Sequence, residues 1–200
     1  MSLKEISFGR QRIGVLISGN GSTLQSILDC MDMLDVAVVI ASKPSAYGIL
    51  RARRMGVPVE IIPRELRLST QKLEAEKWIS SKLDAYKAQK IFLAGFMRII
   101  SENFINKYQD RIFNIHPSLL PKYKGMSAFE ETLASSDLVG GVSIHHVAPD
   151  VDSGEIILQK DFDIPIHRDE KLSQLLLHIN EQRALRNALQ RILWQKQLMS

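Results

Sequence analysis

The chain has 200 residues, 45% of them hydrophobic and 24% charged, with 26 Lys and Arg against 22 Asp and Glu for a net charge of +4. That length suits one domain, expected over residues 1–200, with a core large enough to need no disulfide staple, and the single cysteine, Cys30, excludes an internal disulfide and points to a reducing compartment. No apolar run approaches the roughly 18 residues needed to cross a bilayer, and the polar residues 1–11 lack the apolar segment of a signal peptide, so a cytoplasmic protein is expected.

The positive balance suits anionic small molecules. Local basic clusters stand only at residues 51–54 and 122–124, and neither reads as a nucleic-acid stripe. The other basic residues solvate helix surfaces. Neither nucleic acid nor membrane is expected as a partner.

The elements alternate from the start. Residues 12–18 (RIGVLIS) form an apolar, β-branched run ending at glycine and predict a buried strand. Residues 23–33 place Leu24, Ile27, Leu28 and Met31 at helical spacing. A strand over 36–41, a helix over 46–55 stopped by Gly56 and Pro58, a short strand over 59–62 and a helix over 70–86 follow. A strand over 90–94, a helix over 101–108 with Ser101 as N-cap, and a strand over 112–116 complete a run of alternating strands and helices. Such a run predicts an α/β, Rossmann-like, mostly parallel sheet with helices on both faces. The last third differs: two strand-like runs, 142–147 and 155–162, are expected to pair as a hairpin at the sheet edge, and a long C-terminal helix over about 170–197 to close one face.

Three segments carry chemistry. The turn Ser18-Gly19-Asn20-Gly21-Ser22 joins the first strand to the first helix, so the N–H groups of Gly21, Ser22 and Thr23 would stand where anions bind; as a plain turn, Ser22 would serve as N-cap. It is neither a G-x-G-x-x-G dinucleotide fingerprint nor a P-loop. In Asn114-Ile115-His116-Pro117-Ser118 the two polar side chains alternate with Phe113 and Ile115, so an amide and an imidazole share one face at a strand end. Asn offers an N–H to a developing oxyanion, and His moves protons near neutral pH; a satisfied core histidine is the plainer alternative. The loop Asp150-Val151-Asp152-Ser153-Gly154 has turn composition, but a carboxylate from it beside His116 would favour imidazolium and raise the histidine's pKa. The five histidines show no metal-ligand spacing, so no metal is expected.

The blocks VLISGNGSTLQ, LAGFMRIIS, FNIHPSLLPKYKG and SIHHVAPDVDSGEIILQ, in that order, resemble those of the phosphoribosylglycinamide formyltransferases, folate-dependent enzymes of purine synthesis, with similarity from about residue 12 to 159. The resemblance implies transfer of a formyl group from 10-formyltetrahydrofolate to the amine of 5-phosphoribosylglycinamide, without a metal. Asn114, His116 and Asp152 match the catalytic trio. Gly21, Ser22 and Thr23 match the segment that holds the substrate phosphate. Met97, Arg98, Ile99 and Ile100 match a folate-binding loop, and Ala148, Pro149, Asp150, Val151 and Asp152, together with Asn114, complete the folate side. Glu181 stands where an acidic residue meets the ribose side. His145 matches a family histidine, with a structural reading beside a catalytic one. Small molecules are the implied partners, and a homodimer is admitted.

The chain departs from the family at several positions. The family favours Asn at Thr23 and Ser42, histidines around Ser127 and Phe129, an arginine near Thr70, and Glu-His-x-x-Tyr-Pro where residues 181–186 read EQRALR. The trio is untouched, so the sequence carries the formyl transfer further than the acceptor. A sugar-nucleotide amine, methionyl-tRNA, water, or a non-catalytic folate- or nucleotide-binding module stay open.

Overall fold

The computed structural model describes residues 10–67 and 72–194. Most of the polar N-terminal stretch, the start of the helix expected from residue 70, and the expected helix end at 195–197 lie outside the described residues.

Seven strands form one sheet in the order β3-β2-β1-β4-β5-β6-β7. They are β1 (Arg12–Ile17), β2 (Asp35–Ala41), β3 (Val59–Ile61), β4 (Lys90–Leu93), β5 (Ile112–His116), β6 (Val139–His146) and β7 (Ile156–Asp163). The first five pair in parallel, β6 runs antiparallel to β5, and β7 pairs antiparallel with β6 as the edge hairpin the sequence predicts. The helices are α1 (Ser22–Leu28), α2 (Gly48–Arg54), α3 (Arg64–Arg67), α4 (Lys72–Ala85), α5 (Glu102–Lys107), α6 (Ala128–Ala134) and α7 (Glu170–Trp194).

The central strands are apolar on both faces because both are covered. Ile13, Val15 and Ile17 of β1 join Leu24 and Ile27 of α1, Ala52 of α2 and Leu185 and Leu189 of α7 in one core. Leu16, Val38, Ile40, Ile91 and Ile112 point the other way, against Ile79 and Leu83 of α4, Phe104 of α5 and Tyr108 at its C-cap. Ala184, Leu185, Ala188 and Leu189 are fully buried at the one-face spacing that lays α7 along the sheet. Among the described residues, no helix is long and apolar enough to cross a membrane.

One expected helix, α1, begins and ends differently, and two helices were not foreseen. α1 stops at Leu28, and residues 29–33 continue as tight turns in which the amides of Cys30, Met31 and Met33 reach three residues back, as in Cys30 N to Ile27 O at 3.0 Å. The N-cap of α1 is Gly21, not Ser22. With φ of +74° and a would-be Cβ only 2.7 Å from Gly48 Cα, only glycine suits that corner, where α1 meets α2. α3 and α6 have four and seven residues and bury none and two of them, so neither writes an apolar face.

Candidate active site

The chain order places β2 and β4 on opposite sides of β1, so the connections leaving β1 and β4 diverge and open a crevice at the carboxyl ends of the strands. A cavity of about 490 Å³ lies there. Its walls come from the Gly19–Thr23 turn, the 95–100 loop after β4, the end of β5, residues 147–149, 151 and 152, and α7 through Leu177, His178 and Glu181.

Asn114, His116 and Asp152 converge on this cavity. His116 Nδ1 lies 3.3 Å from Asp152 Oδ2, and Asn114 Nδ2 donates to Asp152 Oδ1 at 3.1 Å. The second N–H of Asn114 meets His145 Nε2 at 3.2 Å, while His145 Nδ1 donates to the His146 carbonyl at 2.7 Å. His145 Nε2 also lies 3.6 Å from Asp152 Oδ1. The remaining ring nitrogen of His116, Nε2, faces the Tyr123 carbonyl at 2.8 Å. Asp152 Oδ2 also accepts the Gly125 N–H at 2.8 Å. Asp152 itself is left-handed, with φ of +48°, a conformation that Asp tolerates better than most residues and that turns the carboxyl inward. The hairpin turn that carries it is pinned where Gly154 crosses the His146 carbonyl so closely that a Cβ would collide with it.

The electrostatics bear out one expectation only in part: Asp152 raises the pKa of His116, yet the net shift is downward. Burial lowers it and outweighs the raising effects of the Tyr123 carbonyl and the Asp152 charge, with His145 lowering it further. For Asp152, burial pushes the carboxyl up, but hydrogen bonding from His145 and Gly125 and the charges of His116 and His145 prevail and hold it at about 2.

The other expected residues separate into those on the cavity wall and one off it. Gly21, Ser22 and Thr23 line one end, where Thr23 Oγ1 donates to Glu181 Oε1 at 2.5 Å and so ties α1 to α7. Met97, Arg98, Ile99 and Ile100 line the cavity, as do Ala148, Pro149 and Val151. Asp150 is the exception: it is exposed and does not form the wall. Sequence reading missed the Gly125 amide and the Tyr123 carbonyl, although both lie in the KYKG block, and it missed His178, three residues before Glu181 on α7, with Nδ1 3.5 Å from Glu181 Oε2. His145 is buried and bonded to Asn114, which joins it to the trio.

The formyl transferase family model matches residues 11–189, and the chain belongs to that family. Among its relatives, the trifunctional purine biosynthetic protein adenosine-3 of Homo sapiens is 37% identical over 170 residues, 83% of this chain, and the chain spans 16% of that protein's length. The phosphoribosylglycinamide formyltransferase of Escherichia coli (strain K12) is 39% identical over 151 residues, 74% of this chain and 70% of the relative. The crystal structure of glycinamide ribonucleotide transformylase 1 from Symbiobacterium toebii matches with a TM-score of 0.83 at 35% identity, covering 90% of this chain and 86% of that one.

Proposed function

We propose that this chain transfers a formyl group from 10-formyltetrahydrofolate to the amine of 5-phosphoribosylglycinamide, a step of de novo purine biosynthesis in the cytoplasm. The observation that carries the reading is the convergence of amide, imidazole and carboxylate from β5 and the 148–154 loop on one cavity. Membership of the family, and a relative of similar length bearing that enzyme's name, support it.

The cavity suits both substrates. Met97, Ile99 and Ile100 supply an apolar wall for a flat pteridine, and the 147–152 segment supplies backbone groups along its edge. At the other end, the amides of the Gly21–Thr23 turn suit a phosphate and Glu181 a ribose hydroxyl.

The residues then divide the chemistry. The amine nitrogen bonds to the formyl carbon as the carbon–nitrogen bond to the folate breaks; the amine loses a proton and the folate nitrogen gains one. Asn114 and protonated His116 donate to the formyl oxygen as negative charge grows there. Both N–H groups of Asn114, and both ring nitrogens of His116, are engaged within the protein at rest, so the oxygen must displace one of those partners. Catalytic hydrogen bonds commonly tighten in this way only once substrate is bound. Asp152, ionised down to about pH 2, is a poor proton carrier. Its work is to hold imidazolium in place, and His116, whose pKa burial lowers, is the better proton donor.

The test is an acceptor assay: purified protein, 10-formyltetrahydrofolate and, in separate reactions, 5-phosphoribosylglycinamide, a sugar-nucleotide amine and buffer alone. Folate release that requires the ribonucleotide is expected. Equal release without it rejects the acceptor, and no release with any acceptor rejects the activity.

A further inference from the structure

Glu76 is a carboxylate in an apolar place. It is 8% exposed on α4, between Ala75 and Ile79, which belong to the second core. Burying such a group is costly unless its oxygens are hydrogen-bonded, so its partners reveal what it holds. Both oxygens go to one residue: Oε1 accepts the Ser101 amide at 2.7 Å, and Oε2 accepts the Ser101 hydroxyl. Ser101 Oγ in turn accepts the Phe104 amide at 3.3 Å and caps α5.

Ser101 closes the 95–100 loop, one wall of the cavity. The loop's other end is held as well. Ser18 N donates to Gly95 O at 3.1 Å, and Ser18 Oγ accepts the Met97 amide at 2.9 Å and the Ser42 hydroxyl at 2.7 Å. Between the two anchors, side chains alternate. Phe96 and Ile100 pack toward the second core, while Met97 and Ile99 are 60% and 74% exposed. A residual void of about 10 Å³ separates the loop from α4, lined by Glu76, Phe96 and Ile100 among others. Directional hydrogen bonds thus hold the loop at both ends.

We propose that Glu76 is a positioning residue for donor binding: its carboxylate clamps Ser101 and so fixes the 97–100 wall against which the folate lies. This rests on the proposed function, in which that wall receives the formyl donor.

Glu76→Ala, Glu76→Gln and Ser101→Ala, each in the full chain, test it. For Glu76→Ala the KM for 10-formyltetrahydrofolate rises at least about fivefold, while kcat and the KM for the ribonucleotide stay within about twofold. Amide hydrogen exchange across residues 96–101 quickens. Glu76→Gln keeps an acceptor for the Ser101 amide and a group that can bond Oγ, and it restores most of the donor KM. An unchanged donor KM, or equal rises in both KM values, overturns the proposal, since a merely structural role moves both together or neither. Should Glu76→Ala not fold, Ser101→Ala carries the same selective prediction, because it removes the hydroxyl's bonds to Glu76 and to the Phe104 amide and keeps the Ser101 amide on Glu76. If the wild type neither transfers formyl nor binds tetrahydrofolate, the functional reading falls. Exchange at 96–101 then decides the clamp alone: faster exchange in the variants sustains it, and equal exchange ends it.

Discussion

Replacing Asp152 by Asn keeps the shape of the side chain and removes its charge. Asp152 is held at about 2 against an ordinary 3.8, nearly two pKa units, so its surroundings favour the carboxylate by roughly 2.5 kcal/mol. Part of that is shared with His116, whose pKa Asp152 raises against burial. Without the charge, burial and His145 act on His116 unopposed except by the Tyr123 carbonyl, and each pKa unit lost removes imidazolium tenfold at neutral pH. Adding the misplacement of a group whose acid–base contribution is typically about 10²–10⁴, kcat should fall by about 10²–10³. The alkaline limb of the kcat/KM profile should also move to lower pH. The assay is steady-state folate release between about pH 6 and 9, where an imidazole near its ordinary range changes charge, with circular dichroism as a control for folding. The same charge gives a second readout. A depressed carboxyl stabilises the fold fully above pH 3.8 and loses that contribution as pH falls through about 2, so the variant should lack this part of the acid destabilisation. A loss of rate under about fivefold with an unmoved profile would refute the assigned pairing.

His116→Ala should lower turnover by about 10²–10³ while leaving tetrahydrofolate affinity, read by calorimetry, nearly unchanged; unchanged turnover removes His116 from the mechanism. Thr23→Val breaks the hydrogen bond to Glu181 and leaves a buried carboxylate oxygen short of a partner. The ribonucleotide KM should rise about tenfold with the donor KM unmoved, and equal changes in both would contradict the division of the cavity into two ends. Leu185→Ala, fully buried between α7 and the sheet, should cost about 2–5 kcal/mol and lower Tm by about 5–15 °C in a thermal melt. A change below about 1 kcal/mol would mean that α7 is not part of the core.

Strands were the most legible elements, because a strand buried on both faces writes an unbroken apolar run such as VAVVIA. The hairpin of β6 and β7 and the long α7 were legible for similar reasons of length and pattern. The short helices α3 and α6 were not, since α3 buries no residue and α6 only Ala128 and Thr132, whereas the equally short α2 and α5 bury Ile49, Phe104 and Ile105. The early end of α1 was hidden because Met31 continues the helical spacing that residues 29–33 keep only as tight turns. In the site, the residues of the trio were legible, but their energetics were not. The pKa of His116 depends on how deeply β5 is covered, which no spacing reveals, and burial outweighs the carboxylate beside it. Backbone partners such as Tyr123 O and Gly125 N carry no side-chain signature at all. Asp150 and Asp152 differ in the sequence only by their neighbours; the left-handed backbone at Asp152 is what turns one inward while the other is exposed.

The most direct test of the central claim follows the group itself. In a single turnover with isotopically labelled formyl on the folate, magnetic resonance should show the label arrive as an amide on the ribonucleotide in step with folate release, and stay with the folate when Asp152 or His116 is replaced. Label appearing as free formate, or reaching the ribonucleotide equally fast in the His116→Ala protein, would contradict the account.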